Sequence, residues 1–394
     1  MPLDTMPHPT PPARPPVQRR PPLWRAAAAV CLLALCSACG ADGDDDDTGP
    51  LDTASRARID AIVQQQIQAE QLPGTVVGVW IGGQRHVTAQ GVADLVTGRA
   101  RVVDDLLRIA SITKTFIGTA ALVLVDRGAL ARTDTLDRWY PGFPNAASIT
   151  VADLLRMRSG IPDSADQGFL EEYWNDPLLP LDAEAMIARA AARGAEAVAP
   201  DTVTRYTNVN FMLLERIVEQ VSGQDIRSFL DREIARPLGL AHTSYPRDAV
   251  LPGALRGYGR ATQDGPLQDR TQLDPRAAGG AGAMVSTLED LRIYTRALCR
   301  GDLLRPQTQA ERLRPTVLEN EPDFIGYGEG LARIGRFCGH NGTIFGFSTE
   351  VWYLPEADAT IVVSVNRLDL DDASKSFNTF ALVAKALFPT LVDW

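Results

Sequence analysis

The period of the apolar positions changes along the chain. Between residues 54 and 71, Ile59, Ile62, Val63 and Ile67 recur at the spacing of one helix face in a polar stretch, which predicts a surface helix. Thr75 to Ile81 is a β-branched run, Gly82 and Gly83 tolerate turn conformations, and Arg85 to Val92 alternates; together they predict a β-hairpin. Ile112 to Val125 is apolar, of helical length, and stops at Gly128. From about 130 to 275, alanine- and leucine-rich segments with capping residues are broken by proline loops at Pro141, Pro144, Pro177, Pro180 and Pro237. Ser286-Thr-Leu-Glu289 reads as a capping box before another helix. Strand signals return over Phe345 to Leu354 and Thr360 to Asn366, and Ala373 to Leu391 closes as a helix. Strands at both ends of a helical middle, joined by hairpins rather than βαβ units, predict an α+β protein. The expected architecture is an α/β body with a mixed or antiparallel sheet and an all-α insertion over about 130–275 of a domain spanning 53–394.

The first fifty residues carry a different signature. Residues 1–22 hold nine of the 27 prolines, which excludes a helix or strand there. Arg14, Arg19, Arg20 and Arg25 then precede an apolar run from Ala26 to Ala38. That run is shorter than the roughly 20 residues a membrane span needs, and it reads as an export signal over 1–38. Ser37-Ala38-Cys39 resembles the bacterial lipobox, whose cysteine is lipidated, although Cys36 stands where that motif usually has leucine. Cys39 is therefore expected to carry a lipid anchor, as the sole attachment to a membrane; ordinary cleavage after Ala38 is the alternative. Five aspartates among residues 42–47 make 39–52 a solvated acidic linker.

Composition narrows the classes. With 394 residues, 45% apolar and 22% charged, the chain is globular rather than disordered, collagenous or coiled-coil. A net charge of −10 argues against nucleic-acid binding. The four histidines, His8, His86, His242 and His340, show no metal-ligand spacing, so neither a metal nor a cofactor is expected. Lysine is rare: with Lys114, Lys375 and Lys385 as the full set, a lysine inside a motif is informative. Cys299 and Cys338 lie in the folded part, and a disulfide or two buried thiols fit the sequence equally.

Candidate chemistry begins at Ser111-Ile112-Thr113-Lys114, at the start of the long apolar helix. Positions i and i+3 share a helix face, so the amine can lie against the hydroxyl, and the helix N-terminus adds oriented N–H groups. A serine needs an adjacent base and a positive local field to act as a nucleophile. There is no Gly-x-Ser-x-Gly elbow and no P-loop or dinucleotide fingerprint. Downstream, Tyr206-Thr207-Asn208 precedes an apolar helix, and His340-Asn341-Gly342 precedes a strand. Each has a plainer reading, a helix cap beside a packed ring and a structural histidine. Their order after Ser111 and Lys114 is what gives them weight.

These three motifs, with Leu136 to Pro144, Ile149 to Leu155, Ser159 to Asp163, Arg236 to Leu240 and Gly279 to Leu291, make residues 55–390 resemble the serine β-lactamase and penicillin-binding superfamily. The resemblance is to the branch holding class C β-lactamases and secreted D-Ala-D-Ala carboxypeptidases. It implies Ser111 as the acyl-accepting nucleophile, Lys114 easing its deprotonation, and Tyr206 as proton acceptor and then donor, with the true base left open between those two. It implies that Asn208 orients the lysine and the substrate amide, and that His340 replaces a lysine facing the substrate. Asn341, Gly342 and Thr343 would line the substrate, with the N–H groups of Ser111 and Thr343 forming an oxyanion hole. Asn341 stands where a carboxylate-binding threonine is usual, Met157-Arg158 where His-Thr is usual, and Arg333 and Arg336 both lie near the place of a carboxylate-binding arginine. The implied activity is D-Ala-D-Ala carboxypeptidase on peptidoglycan stem peptides. Another small acyl substrate, cleaved by an esterase, a D-aminopeptidase or a weak β-lactamase, is the alternative, and a binding protein without turnover is a third.

Overall fold

In the computed structural model, the described residues are 49–394 apart from 252, 254 and 393. The expected export signal, Cys39 and most of the acidic linker lie outside them. Helix α1 (Thr53–Ala69) begins where Asp52 accepts the Ser55 N–H at 2.7 Å. Strands β1 (Gly74–Ile81) and β2 (Gln84–Gly91) form the expected hairpin. Gly82 and Gly83 turn the corner with φ of +55° and +91°, the two positive values a two-residue hairpin loop requires.

All other strands of this sheet come from the last eighty residues. They are β3 (Thr316–Val317), β4 (Ile325–Tyr327), β5 (Ala332–Ile334), β6 (Phe337–Ile344), β7 (Phe347–Leu354) and β8 (Ala359–Val365). The eight strands run in the order β2-β1-β8-β7-β6-β5-β4-β3, and every pairing is antiparallel. The protein is therefore α+β, as the pattern of elements predicts. Three boundaries shift. The strand expected to begin at Phe345 begins at Phe347, because Phe345 and Gly346 form the turn of the β6–β7 hairpin, with Gly346 at φ +84°. His340 lies within β6 rather than before a strand. The cap expected at Ser286 is supplied by Thr287, whose hydroxyl accepts from Asp290 N–H.

The helices include α2 (Thr113–Asp126), α3 (Val151–Leu155), α4 (Gln167–Asn175), α5 (Ala183–Ala192), α6 (Val209–Ser222), α7 (Leu288–Arg300) and α8 (Lys375–Leu387); further helical segments, Ile226–Leu230 and Pro306–Arg312 among them, lie between these. Between 130 and 275 regular structure is helical except for a two-residue ladder, Tyr258–Gly259 on Gln268–Asp269. One apolar cluster runs through sheet and helices from Leu51 to Val392. Helix α2 sits within it, with Thr113 to Leu124 all buried, and packs against α6, while the Ala110–Ile112 turn before it packs against β6. Among the described residues no helix is long and apolar enough to cross a membrane.

Cys299 of α7 and Cys338 of β6 are joined by a disulfide with Cα atoms 6.0 Å apart. The sequence left that pairing open. Closing a loop of 39 residues contributes about 4 kcal/mol in the chain-entropy account.

Candidate active site

Ser111 occupies a single 3-10 turn, Ala110–Ile112, that runs straight into α2. Ala110 has φ +46°, a left-handed conformation that costs a non-glycine residue about 1–2 kcal/mol. The turn is held on both sides: Ile109 N–H donates to Met284 O at 3.0 Å, and Met284 N–H donates to Thr113 Oγ1 at 3.1 Å. Ser111 itself remains partly exposed, open to a cavity of about 250 Å³.

One turn into α2, Lys114 is wholly buried. Its Nζ lies 2.9 Å from Ser111 Oγ, 2.8 Å from Asn208 Oδ1 and 2.8 Å from the Ala281 carbonyl. Burial pulls the ammonium down to about 7, against the opposing attraction of Asp163. Tyr206, on the segment entering α6, puts its ring centroid 4.9 Å from that nitrogen and shares a hydrogen bond with Ser111. Burial pushes its phenol well up; the Ser111 hydrogen bond opposes this and the Asp163 charge adds to it. The phenol is therefore neutral at physiological pH.

Asn208 stands at the N-cap of α6, immediately before Val209, but does not cap it with its side chain. The amide is spent elsewhere. Nδ2 donates to Asp163 Oδ2 at 2.8 Å, the backbone N–H donates to Asp163 Oδ1 at 3.2 Å, and Oδ1 is thereby turned toward Lys114. Asp163 was present in the sequence only as the end of Ser159-Gly-Ile-Pro-Asp, and nothing local marks it as a partner of Asn208. Glu215 was equally silent. Buried on α6, it accepts Gly280 N–H at 2.7 Å and Tyr245 OH at 3.0 Å, and so fixes the turn that presents the Ala281 carbonyl to Lys114.

The third motif does not behave as its resemblance implies. His340 is 1% exposed, with Nδ1 2.5 Å from the Asn341 carbonyl and Nε2 3.1 Å from the Tyr327 hydroxyl. A carbonyl only accepts, so Nδ1 carries the proton and Nε2 accepts from Tyr327. Burial, with Lys114 adding repulsion, pulls the imidazole down to about 3. His340 is thus a neutral residue behind the Tyr206–Tyr327 pair, whose rings meet edge-on at 5.9 Å, and not a cation facing substrate. Asn341 is exposed and does not line the cavity at Ser111. Arg333 donates to the Gly335 carbonyl and Arg336 pairs with Glu356, and neither lines the cavity. At the departure from His-Thr, the Met157 sulfur accepts the Thr207 N–H at 3.5 Å, and Arg158 pairs with Asp201.

Gly342 and Thr343 do meet the nucleophile turn. A Cβ on Gly342 would stand 2.1 Å from Ile109 O and 3.2 Å from Ser111 N, so glycine is what lets β6 touch that turn. Thr343 lines the cavity beside Ser111. Among the described residues no cluster of His, Cys, Asp or Glu is arranged to hold a metal ion.

The sequence profile of the Beta-lactamase family matches residues 59–384. The chain belongs to the Beta-lactamase family. Esterase EstB of Burkholderia gladioli is 29% identical to this family member over 301 residues, 67% of this chain and 75% of that one. Penicillin-binding protein 4 of Amycolatopsis lactamdurans is 29% identical over 235 residues, 57% of this chain and 59% of that one. Among solved structures, a D-stereospecific amidohydrolase from Streptomyces sp. superposes with a TM-score of 0.73 at 27% identity, covering 83% of this chain and 98% of that one. As a Beta-lactamase family member of this fold, the chain is a serine hydrolase in type.

Proposed function

We propose that the chain hydrolyses small acyl substrates, esters or amides, through an acyl-enzyme on Ser111. The observation that carries this reading is the set of partners around Lys114. A neutral lysine amine has two N–H groups and one lone pair. Asn208 Oδ1 and the Ala281 carbonyl only accept, so they take the two N–H groups, and the lone pair faces Ser111 Oγ. With its amine near neutrality at about 7, Lys114 is the base that takes the Ser111 proton. Tyr206, held neutral, is a poor base and a suitable relay.

In acylation the Ser111 Oγ–H proton passes to Lys114 Nζ while Oγ bonds to the substrate carbonyl carbon. The N–H groups of Ser111 and Thr343, brought together by Gly342, receive the developing oxyanion. The bond to the leaving oxygen or nitrogen breaks as that atom takes a proton from Tyr206, which is resupplied from Lys114. Water then bonds to the acyl carbon as its proton passes to Lys114 Nζ, and the carbon–Oγ bond breaks as Ser111 Oγ takes that proton back, which releases the acid and restores the free serine. An esterase and an amidohydrolase among the similar proteins support an acyl-transfer reading of this kind. The carboxypeptidase activity implied by the resemblance needs a group to hold a terminal carboxylate, and a neutral, enclosed His340 does not favour it.

Mass spectrometry after incubation with an activated ester tests the proposal. One acyl adduct is expected on Ser111, absent from Ser111→Ala, with an acylation rate that rises with pH through about 7. An adduct that survives Ser111→Ala, or a rate flat across that range, overturns it.

A further inference from the structure

The cavity at Ser111 is walled by Phe169, Leu170, Met186, Met212, Ile344 and Phe345, among other residues. Its aromatic side is locked: Tyr173 packs against Phe169 at 5.4 Å and Phe345 at 5.2 Å, and Trp174 meets Phe345 edge-on at 5.1 Å. Phe169, Met186, Met212 and Phe345 are each at most 4% exposed, so the wall is a preformed apolar surface. Among the described residues lining it, the one charged side chain is Asp369, itself paired with Arg367 at 2.6 Å and Lys375 at 3.4 Å.

The position of the cavity says which half of a substrate it receives. The leaving group must reach Tyr206 for its proton, yet Tyr206, Tyr327 and His340 are not in the wall. The cavity therefore lies on the other side of the attacked carbon. We propose that it holds the acyl half of the substrate, and that this half is uncharged and apolar, an arylacetyl or medium-length aliphatic group. The inference rests on the acyl-enzyme reading above and narrows it.

A carboxylate on the acyl group would find no partner. The Lys114 nitrogen is fully engaged by Ser111, Asn208 and Ala281, and His340 is enclosed by Tyr327 and its own strand. Arg333 and Arg336 are tied to Gly335 and Glu356. Such a carboxylate would be stripped of water against rings and methyl groups, beside Asp369.

The test is a series of 4-nitrophenyl esters that share one leaving group: acetate, butyrate, hexanoate, phenylacetate and the glutarate monoester. Each methylene that enters the cavity is expected to raise kcat/KM about fourfold. The glutarate monoester is expected to fall at least about tenfold below butyrate. Ala165→Phe, which places a ring in the same wall from a partly exposed loop, should lower the phenylacetate-to-acetate ratio by roughly tenfold. Equal rates for all acyl groups, or a glutarate ester as good as butyrate, overturn the inference while the Ser111 adduct stands. If no ester in the series acylates Ser111, the acyl-enzyme reading fails with it.

Discussion

The Asp163 carboxylate holds Asn208 at two points, the side-chain amide at 2.8 Å and the backbone N–H at 3.2 Å. This bidentate grip decides which end of the Asn208 amide meets Lys114. Asp163→Asn keeps an acceptor but removes a charge that favours the ammonium, so the Lys114 amine should titrate lower and the acidic limb of acylation should move to lower pH. Asp163→Ala also frees the amide to turn, and acylation should fall by about 10²-fold. Single-turnover acylation across pH 5–9 separates the two effects. A limb that stays in place in Asp163→Asn would show that Lys114 does not sense this charge.

Tyr206→Phe should penalise poor leaving groups most. If Tyr206 protonates the departing atom, an anilide or alkyl ester should lose about 10²–10⁴-fold, while a 4-nitrophenyl ester, whose anion leaves unaided, should lose far less. Measuring kcat/KM for both classes on the same variant decides it. Equal losses would place Tyr206 in deprotonation of Ser111 instead.

Glu350, buried on β7, accepts from Trp352 Nε1 at 2.7 Å and Ser376 Oγ at 3.1 Å. Burial still raises its carboxyl to about 7, with those two hydrogen bonds opposing. The native state then binds more protons than the unfolded chain between the ordinary carboxyl value and about 7. Its stabilising share is present below that window and is lost as pH rises through it. Glu350→Gln should flatten this slope and stabilise the protein above pH 7 by on the order of 3 kcal/mol. Urea unfolding at pH 5 and pH 8 checks it, and an unchanged slope refutes it.

Replacing Cys299 and Cys338 together by serine should cost about 4 kcal/mol from the loop of 39 residues. Denaturant midpoints of the double variant and of reduced wild type should coincide. A midpoint that does not move would mean the loop is already constrained in the unfolded chain.

Cys39→Ala should release the protein from membrane fractions if the Ser37-Ala38-Cys39 motif directs lipidation. Wild-type protein that is already soluble, with an unmodified N-terminus at residue 39, rules the anchor out.

The long periods were readable: α1, the β1–β2 hairpin, α2 and the last strands all follow from runs of seven residues or more. Ser111 and Lys114 were readable because their spacing on one helix face is local. Strand β6 was not, because Gly339 and Gly342 break its alternation for a reason that lies elsewhere, the backbone of Ile109 and Val351 pressing against them. Asp163 and Glu215 act on Asn208 and Gly280 across 45 and 65 residues, distances over which no periodicity operates. The charge of His340 depends on burial, which a motif does not contain.

Strand β1 has its own consequence for how the molecule is made. One edge pairs with β2 at once, but the other pairs with β8, Thr75 opposite Val365. The centre of the sheet therefore cannot be assembled until almost the whole polypeptide exists. A nascent chain stopped before residue 359 holds the β1–β2 ribbon and the β3–β7 strands as two separate pieces, each with an open edge where β8 belongs. Translation and acquisition of activity are thus separate events in time, and no C-terminal truncation short of β8 is expected to leave a working enzyme.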